Sequence, residues 1–359
     1  MKKLLTFFAF VLSTVPALAQ KNVWYLTHED SLRQDEYVKI AETEALTHDL
    51  QTVVSKANTV SGDKHNYESL GGYFWPDPNN PGGPYIARDG YRNPEYKDWD
   101  YPKLLRINRW MDAAAKAYCF TQDERFYNYF VEQMDTWFFD QETLMYPTFD
   151  YSQFCPGVNG SRGKACGCID AHQFVAVIQA VSLINKVKSI GYKRNRKFKK
   201  WLKNFAYWME NSDNGKECCG YKNNQGIVYD NTLMTIYLYT GNKTEARKHI
   251  LSCYDRIDQQ IDDEGRQPQE LVRTKAFFYS VYNLEHINDF ISIANRVDLP
   301  VEEALRRNAI NAKVAKAFTF LGQYVGNHEA FPYQELDDWK TLEQDFHKQS
   351  QRFNAALKN

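Results

Sequence analysis

The sequence predicts an all-α protein, an (α/α) toroid or barrel of antiparallel helix pairs behind an N-terminal loop-rich extension. Three observations lead there. Apolar residues recur at helical spacing in stripe after stripe from Pro102 onward, strand-like alternation is scarce, and no fixed-length consensus repeat supports a solenoid.

The elements follow in order. A polar, weakly helical stretch runs to Lys64, and a segment rich in Gly, Pro, Asn and Asp from Gly71 to Asp100 reads as loop and short hairpin. Leu104, Ile107, Met111, Ala114 and Tyr118 then form one buried helical face, and Phe126, Phe130, Met134 and Trp137 a second. Phe174, Ile178, Val181 and Ile184 make a third stripe, and Phe198, Leu202, Phe205 and Met209 a fourth. Tyr229, Leu233, Ile236 and Tyr237 make a fifth, and Ala246, Ile250, Tyr254, Ile257 and Ile261 a sixth. Two longer helices are expected near 272–296 and 303–322. The simplest division is an N-terminal extension over 20–65, a helical domain over 66–330 and a tail over 331–359 packing on it.

Before these elements, Lys2 and Lys3, an apolar run from Leu4 to about Val15 and Ala17-Leu18-Ala19 form the pattern of a signal peptide over 1–19, with the mature chain starting at Gln20 in a periplasm or beyond. The run is too short to span a bilayer, and no membrane insertion is expected. Seven cysteines (Cys119, Cys155, Cys166, Cys168, Cys218, Cys219 and Cys253) then meet an oxidising compartment, where an odd count leaves at least one unpaired. Cys166-Gly-Cys168 with His172 matches no standard zinc spacing, and no metal or cofactor is assigned.

Composition narrows the partners. With 44 Lys and Arg against 45 Asp and Glu, the net charge of −1 argues against a dedicated nucleic-acid binder. The basic run Lys193–Lys200 reads first as a solvated helix face. Aromatic residues make up 15% of the chain, with 24 Tyr and 8 Trp, a composition suited to stacking on sugar rings.

Three segments carry candidate chemistry. In Gly71-Gly72-Tyr73-Phe74-Trp75-Pro76-Asp77-Pro78 the prolines stiffen a backbone that could hold Tyr73 and Trp75 as stacking platforms, or as plugs between helices. Asn223-Asn224-Gln225-Gly226 precedes the stripe of Tyr229 and Asp230, placing side-chain amides at a helix N-terminus, where a carboxylate is favoured; it is equally ordinary capping chemistry. In the stretch from Asp263 through Arg266 to Tyr279, a helix under way by Glu270 would set Arg273 and Tyr279 roughly 120° apart, still able to reach one cleft. A nearby Arg would favour a tyrosinate.

Together these segments resemble the alginate-lyase domain of the polysaccharide lyases, families five and thirty-eight. The matching pieces are Ser69 to Pro78, Pro84 to Gly90, Asn93-Pro94-Glu95, Met145-Tyr146-Pro147 through Gln153, Asn223 to Gly226 with Tyr229-Asp230, and Gly265 to Tyr279, in that order. The resemblance implies an (α/α) toroid with a cleft, an acidic polysaccharide substrate and metal-independent β-elimination on a 1,4-linked polyuronate. It implies Asn224 as carboxylate-binding amide, Arg273 as cationic partner and Tyr279 as the phenol that serves as base and then acid. Asn223, Gln225, Tyr73, Trp75, Tyr229 and Arg266 are the further substrate-binding candidates.

One position departs from the pattern. The family usually reads Asn-Asn-His-Gly, and Gln225 stands where the His is expected; an amide cannot act as a base. His172, in Asp170-Ala171-His172, is the substitute candidate. Two other readings stay open: a non-catalytic carbohydrate-binding relative, and an inverting glycoside hydrolase using carboxylates such as Asp230 and Glu270.

Overall fold

The computed structural model describes residues 23–358, so the signal peptide expected over 1–19 lies outside the described residues. The extension forms two short helices, α1 (His28–Leu32) and α2 (Gln34–Thr43). It then reaches the strand β1 (Glu68–Leu70) and the two-stranded hairpin of β2 (Phe74–Trp75) and β3 (Ile86–Ala87), the hairpin expected between Gly71 and Asp100. Helices α3 (Tyr101–Thr121) and α4 (Glu124–Met134) follow; Gln122, in left-handed conformation, ends the first, and Asp123 caps the second through Arg125 N. The stripe ending at Trp137 leaves α-geometry at Asp135–Phe139, where a π turn carries Trp137, Phe138 and Phe139 into the core.

Strand β4 (Tyr151–Phe154) pairs in parallel with β1, tying the extension to the helical part before α5 (Gln173–Val187), α6 (Tyr192–Asn211) and the short α7 (Asp213–Cys219). Next come α8 (Asn224–Thr240) and α9 (Lys243–Gln260), joined by Gly241 and Asn242. Gly241 takes φ +92°, a left-handed stop that sends α9 back along α8. The helix expected near 272–296 starts four residues later than expected. A single turn, α10 (Pro268–Leu271), stops; residues 272–275 form a break; and α11 (Ala276–Ala294) starts afresh. Helix α12 (Val301–Gly322) follows, and the tail beyond 331 forms α13 (Trp339–Leu357), which lays Leu342, Phe346, Phe353 and Ala356 onto the core beside α11.

The long helices arrange as an (α/α) toroid. Helices α3, α5, α8 and α11 make an inner row, each in contact with the next, while α2, α4, α6, α9 and α13 lie against them and α12 packs on α9. Helix α8 is buried from Gly226 to Ile236, and it serves two cores. Tyr229, Leu233 and Ile236 face the aromatic core of α3 to α6, whereas Ile227 and Met234 face that of α9 and α11 to α13. Helix α6 is amphipathic: Phe198, Trp201, Leu202 and Phe205 point inward, while most of Lys193–Lys200 is solvated and Arg194 pairs with Asp135. The stretch Asn159–Val187 is long and apolar enough to cross a membrane, and 78% of its apolar window is buried inside the protein, as in a core helix. All seven cysteines are free thiols.

A buried ion pair anchors the junction of the extension and α3. Lys56 Nζ lies 2.7 Å from Asp100 Oδ2, with both side chains fully buried, and also donates to the carbonyls of Val53, Lys64 and Asn66. Burial pushes the lysine down and the carboxyl up, so the pair holds its charges through these partners together with Lys103 and Glu68 N, which also bond Asp100. Lys56→Met would leave the buried Asp100 with only the less buried Lys103 as its cation, and should cost about 3 kcal/mol of stability in urea denaturation. Lys188→Met, which breaks an exposed pair with Glu124, should leave the midpoint nearly unmoved.

Candidate active site

The break before α11 creates the site. Because residues 272–275 are not helical, Arg273 folds back over Tyr279, its guanidinium carbon 3.8 Å from the ring centroid, rather than projecting 120° away from it. The phenol of Tyr279 donates to the Tyr73 hydroxyl at 2.6 Å. Burial pushes the Tyr279 phenol well above its ordinary range, and the Arg273 charge pulls it back down. Arg273 Nη2 also holds Asp89 Oδ1 at 2.7 Å, and Thr274 Oγ1 donates to the other oxygen at 3.0 Å. Arg273 keeps the Asp89 carboxyl below the usual carboxylate range. Gly90 fits this close docking: at φ +81° a Cβ would stand 2.8 Å from Thr274 Oγ1.

Asn224 reaches the same place from α8. It is the first residue of that helix, buried, and its backbone N and Nδ2 donate to Glu270 Oε1 at 3.3 and 3.2 Å. The Glu270 carbonyl in turn accepts from Arg273 N at 3.1 Å. A chain of contacts therefore runs Asn224, Glu270, Arg273, Tyr279, Tyr73. Glu270 is 1% exposed and its Oε2 has no hydrogen-bond partner; burial pushes its carboxyl up to about 7. A frame of buried amides holds the two helix starts together. Gln260 donates to Asn223 O, Asn283 donates to both Gln260 and Gln267, and Gln267 donates to Ser280 O.

The remaining candidates fall elsewhere, for physical reasons. Asn223 is spent on the cap of α8, its Oδ1 accepting from Gln225 N, and Gln225 is half-buried beside Asn224 on that first turn. Tyr229 belongs to the core rather than the cleft; its hydroxyl meets Met209 O. Arg266 is held outside by Asp262 and Glu264 and does not reach Tyr279's surroundings. Trp75 donates to Tyr91 O and lies under Arg88, on the hairpin that brings Tyr73 in. His172 uses Nδ1 on Ile169 O and Nε2 on Gln173, and its ring meets His286, two turns beyond Tyr279 or about 10 Å along α11. Its nitrogens therefore do not turn to Cys166 or Cys168. Asp230 and Glu270 form no catalytic pair: Asp230 is locked on His249, Ser252 and Arg256. Sequence reasoning missed the roles of Asp89, Gln260, Gln267 and Asn283.

Fold and site together define an (α/α) toroid in which the starts of two inner helices and the break before α11 bring a phenol, a guanidinium and a carboxamide together. The alginate lyase family model matches residues 52–331. The chain belongs to the alginate lyase family of polysaccharide lyases. An alginate lyase from Bacteroides ovatus is 32% identical, with a TM-score of 0.82 over 91% of this chain and 89% of that one. Alginate lyase A1-III from Sphingomonas species A1 shares the fold at 13% identity, with a TM-score of 0.51 over 85% and 80% of the chains. A variant of A1-III complexed with a tetrasaccharide gives 0.54 at 14% identity, over 89% and 83%. No curated protein sequence matches the chain.

Glu270 gives the site a pH signature. Its folded-state carboxyl titrates above the ordinary value of 4.5, so the folded protein holds the extra proton between there and about 7. The stabilisation is complete below 4.5 and is lost as the pH rises through 7. Wild type should lose roughly 3 kcal/mol between pH 4.5 and 8 relative to Glu270→Gln, read from denaturant midpoints of both proteins across that range.

Proposed function

We propose that the protein is an exported polysaccharide lyase that cleaves a 1,4-linked polyuronate, alginate or a glucuronan, by β-elimination at Tyr279. The observation that carries this reading is the stack of Arg273 on Tyr279, with Asn224 joined to Arg273 through Glu270. The family and the similarity to an alginate lyase from Bacteroides ovatus support a uronate polymer as substrate.

Elimination requires that the uronate carboxylate be neutralised, the C5 proton removed and the departing O4 protonated. Arg273 and the free N–H of the Asn224 amide supply the first. Their hydrogen bonds strengthen as charge moves from C5 toward the carboxylate. Tyr279 as phenolate takes the C5 proton; the C5–H electron pair forms the C4–C5 double bond, the C4–O4 bond breaks, and the same proton passes to O4. In the resting protein Tyr279 keeps its proton and gives the hydrogen bond to Tyr73. Ionisation releases that proton to solvent; burial and the neighbouring Tyr73 oppose the phenolate, and the Arg273 charge favours it. Gln225, in place of the family His, favours a second reading, a binding relative without turnover.

The test is ultraviolet absorbance of unsaturated uronate on polymannuronate, polyguluronate and glucuronan. Wild type should form product on at least one, Tyr279→Phe should lose it, and Asn224→Ala or Arg273→Ala should cost about 3 kcal/mol in the barrier, somewhat over 100-fold in rate. Polymer binding without product would establish the binding relative, and saturated reducing ends would identify a hydrolase. Export is supported by the pattern over 1–19, and the protein recovered outside the cytoplasm should begin at Gln20.

A further inference from the structure

Far from the cleft, the outer end of α8 faces a second group of chemistry-bearing side chains. Glu245 and His249 lie one turn apart on α9, at i and i+4, and so share a face. Glu210, near the end of α6, meets that face; one ligand atom from each of the three lies within 4.8 Å of the others. The His249 side chain is 7% exposed. Its Nδ1 is bonded to Asp230 Oδ1 at 2.7 Å, while Nε2 points toward Glu210 Oε1 at 3.5 Å and has no hydrogen-bond partner.

We propose that Glu210, Glu245 and His249 form a binding site for a divalent cation of the zinc type. A buried imidazole nitrogen that lacks a hydrogen-bond partner, faces one glutamate and sits beside a second is the arrangement a cation completes. The supporting groups are already in place. Asp230 is held by Arg256 and Ser252, and its bond to Nδ1 fixes the tautomer that leaves the Nε2 lone pair free. Tyr237 donates to Glu210 Oε2 at 2.6 Å, and its ring lies flat against the imidazole, 5.8 Å between centroids. The mixed nitrogen and oxygen donor set suits zinc or a similar transition metal over calcium, which takes oxygen ligands.

Donor atoms around tetrahedral zinc stand roughly 3.4 Å apart, so the three need to close by little over 1 Å. The glutamate side chains, 28% and 32% exposed, have the freedom to do so and leave a path of entry. Lys248 pairs with Glu245 at 3.2 Å, but at 66% exposure it is a weak competitor. Tyr237 lies 13 residues along α8 from Asn224, about 20 Å, so the cation would join α6 to α9 and take no part in the cleft.

The test is titration of chelator-treated protein with Co²⁺ and Zn²⁺, followed by visible absorption, bound metal per chain and thermal midpoint. One cation per chain is expected, with Co²⁺ d–d bands, no thiolate charge-transfer band and a midpoint raised by Zn²⁺. Glu245→Gln and Glu210→Gln, both at partly exposed positions that spare the buried imidazole, should each weaken binding at least tenfold and abolish the midpoint rise. Absence of binding, a thiolate band from the free cysteines, or affinity unchanged in both variants would overturn the proposal.

Discussion

The burial of α8 on every side is the constraint on which the rest depends. A helix exposed on one face can leave its polar residues in water, but this one carries Asn224, Asp230, Asn231, Thr232 and Thr235 into the interior, and each buried polar group raises a demand for partners. The demands of Asn224 and Asp230 organise the neighbours. At the helix start, Asn224 is met by Glu270, and Asn223 by the Gln260 amide. Midway, Asp230 is met by His249, Ser252 and Arg256 of α9. The apolar faces between them separate two cores, so a shift of α8 would disturb both cores and the cleft together.

The break between α10 and α11 is the second device. A continuous helix would have carried Arg273 around to another face, and its charge would have met Tyr279 only at arm's length. Ending α10 after one turn brings the guanidinium onto the ring and leaves its hydrogen-bonding edge for Asp89. Pro268 at the first turn of α10 fits a start there, but nothing in Val272-Arg273-Thr274-Lys275 announces a stop. The break is fixed by contacts far away in sequence: Asp89 on Arg273 and Thr274, Asp337 on Lys275, and Ala276 N on Gln334 O.

This is where sequence reasoning succeeds and where it stops. The inner helices were legible because their apolar stripes repeat within each segment, and Asn224, Arg273, Tyr279 and Tyr73 because the family's segments stand in order. Glu270 was visible only as a carboxylate, since its bond to Asn224 spans 46 residues. Asp89 is 184 residues from Arg273 and leaves no local trace. Two misplacements had signals within reach. Tyr229 shares the stripe of Leu233 and Ile236, which already marked it as core, and Arg266 follows Asp262 by four residues and Glu264 by two, a local trap for its charge. The capping role of Asn223 is the ordinary property of its type.

Arg273 connects the resting structure to the proposed chemistry. Its partner Asp89 is a half-buried carboxylate on the hairpin side of the cleft, the same kind of group that a polyuronate presents. A sugar carboxylate arriving at Arg273 would exchange one anion for another, so the guanidinium would not have to be desolvated anew when substrate binds. The phenol of Tyr279 feels the difference. Asp89 holds negative charge beside it and opposes its ionisation, whereas a substrate carboxylate that also accepts from Asn224 has part of its charge withdrawn onto that amide. On this reading the ion pair of the free protein keeps Arg273 in register while disfavouring the phenolate, and the polymer that replaces Asp89 supplies the conditions under which Tyr279 can act.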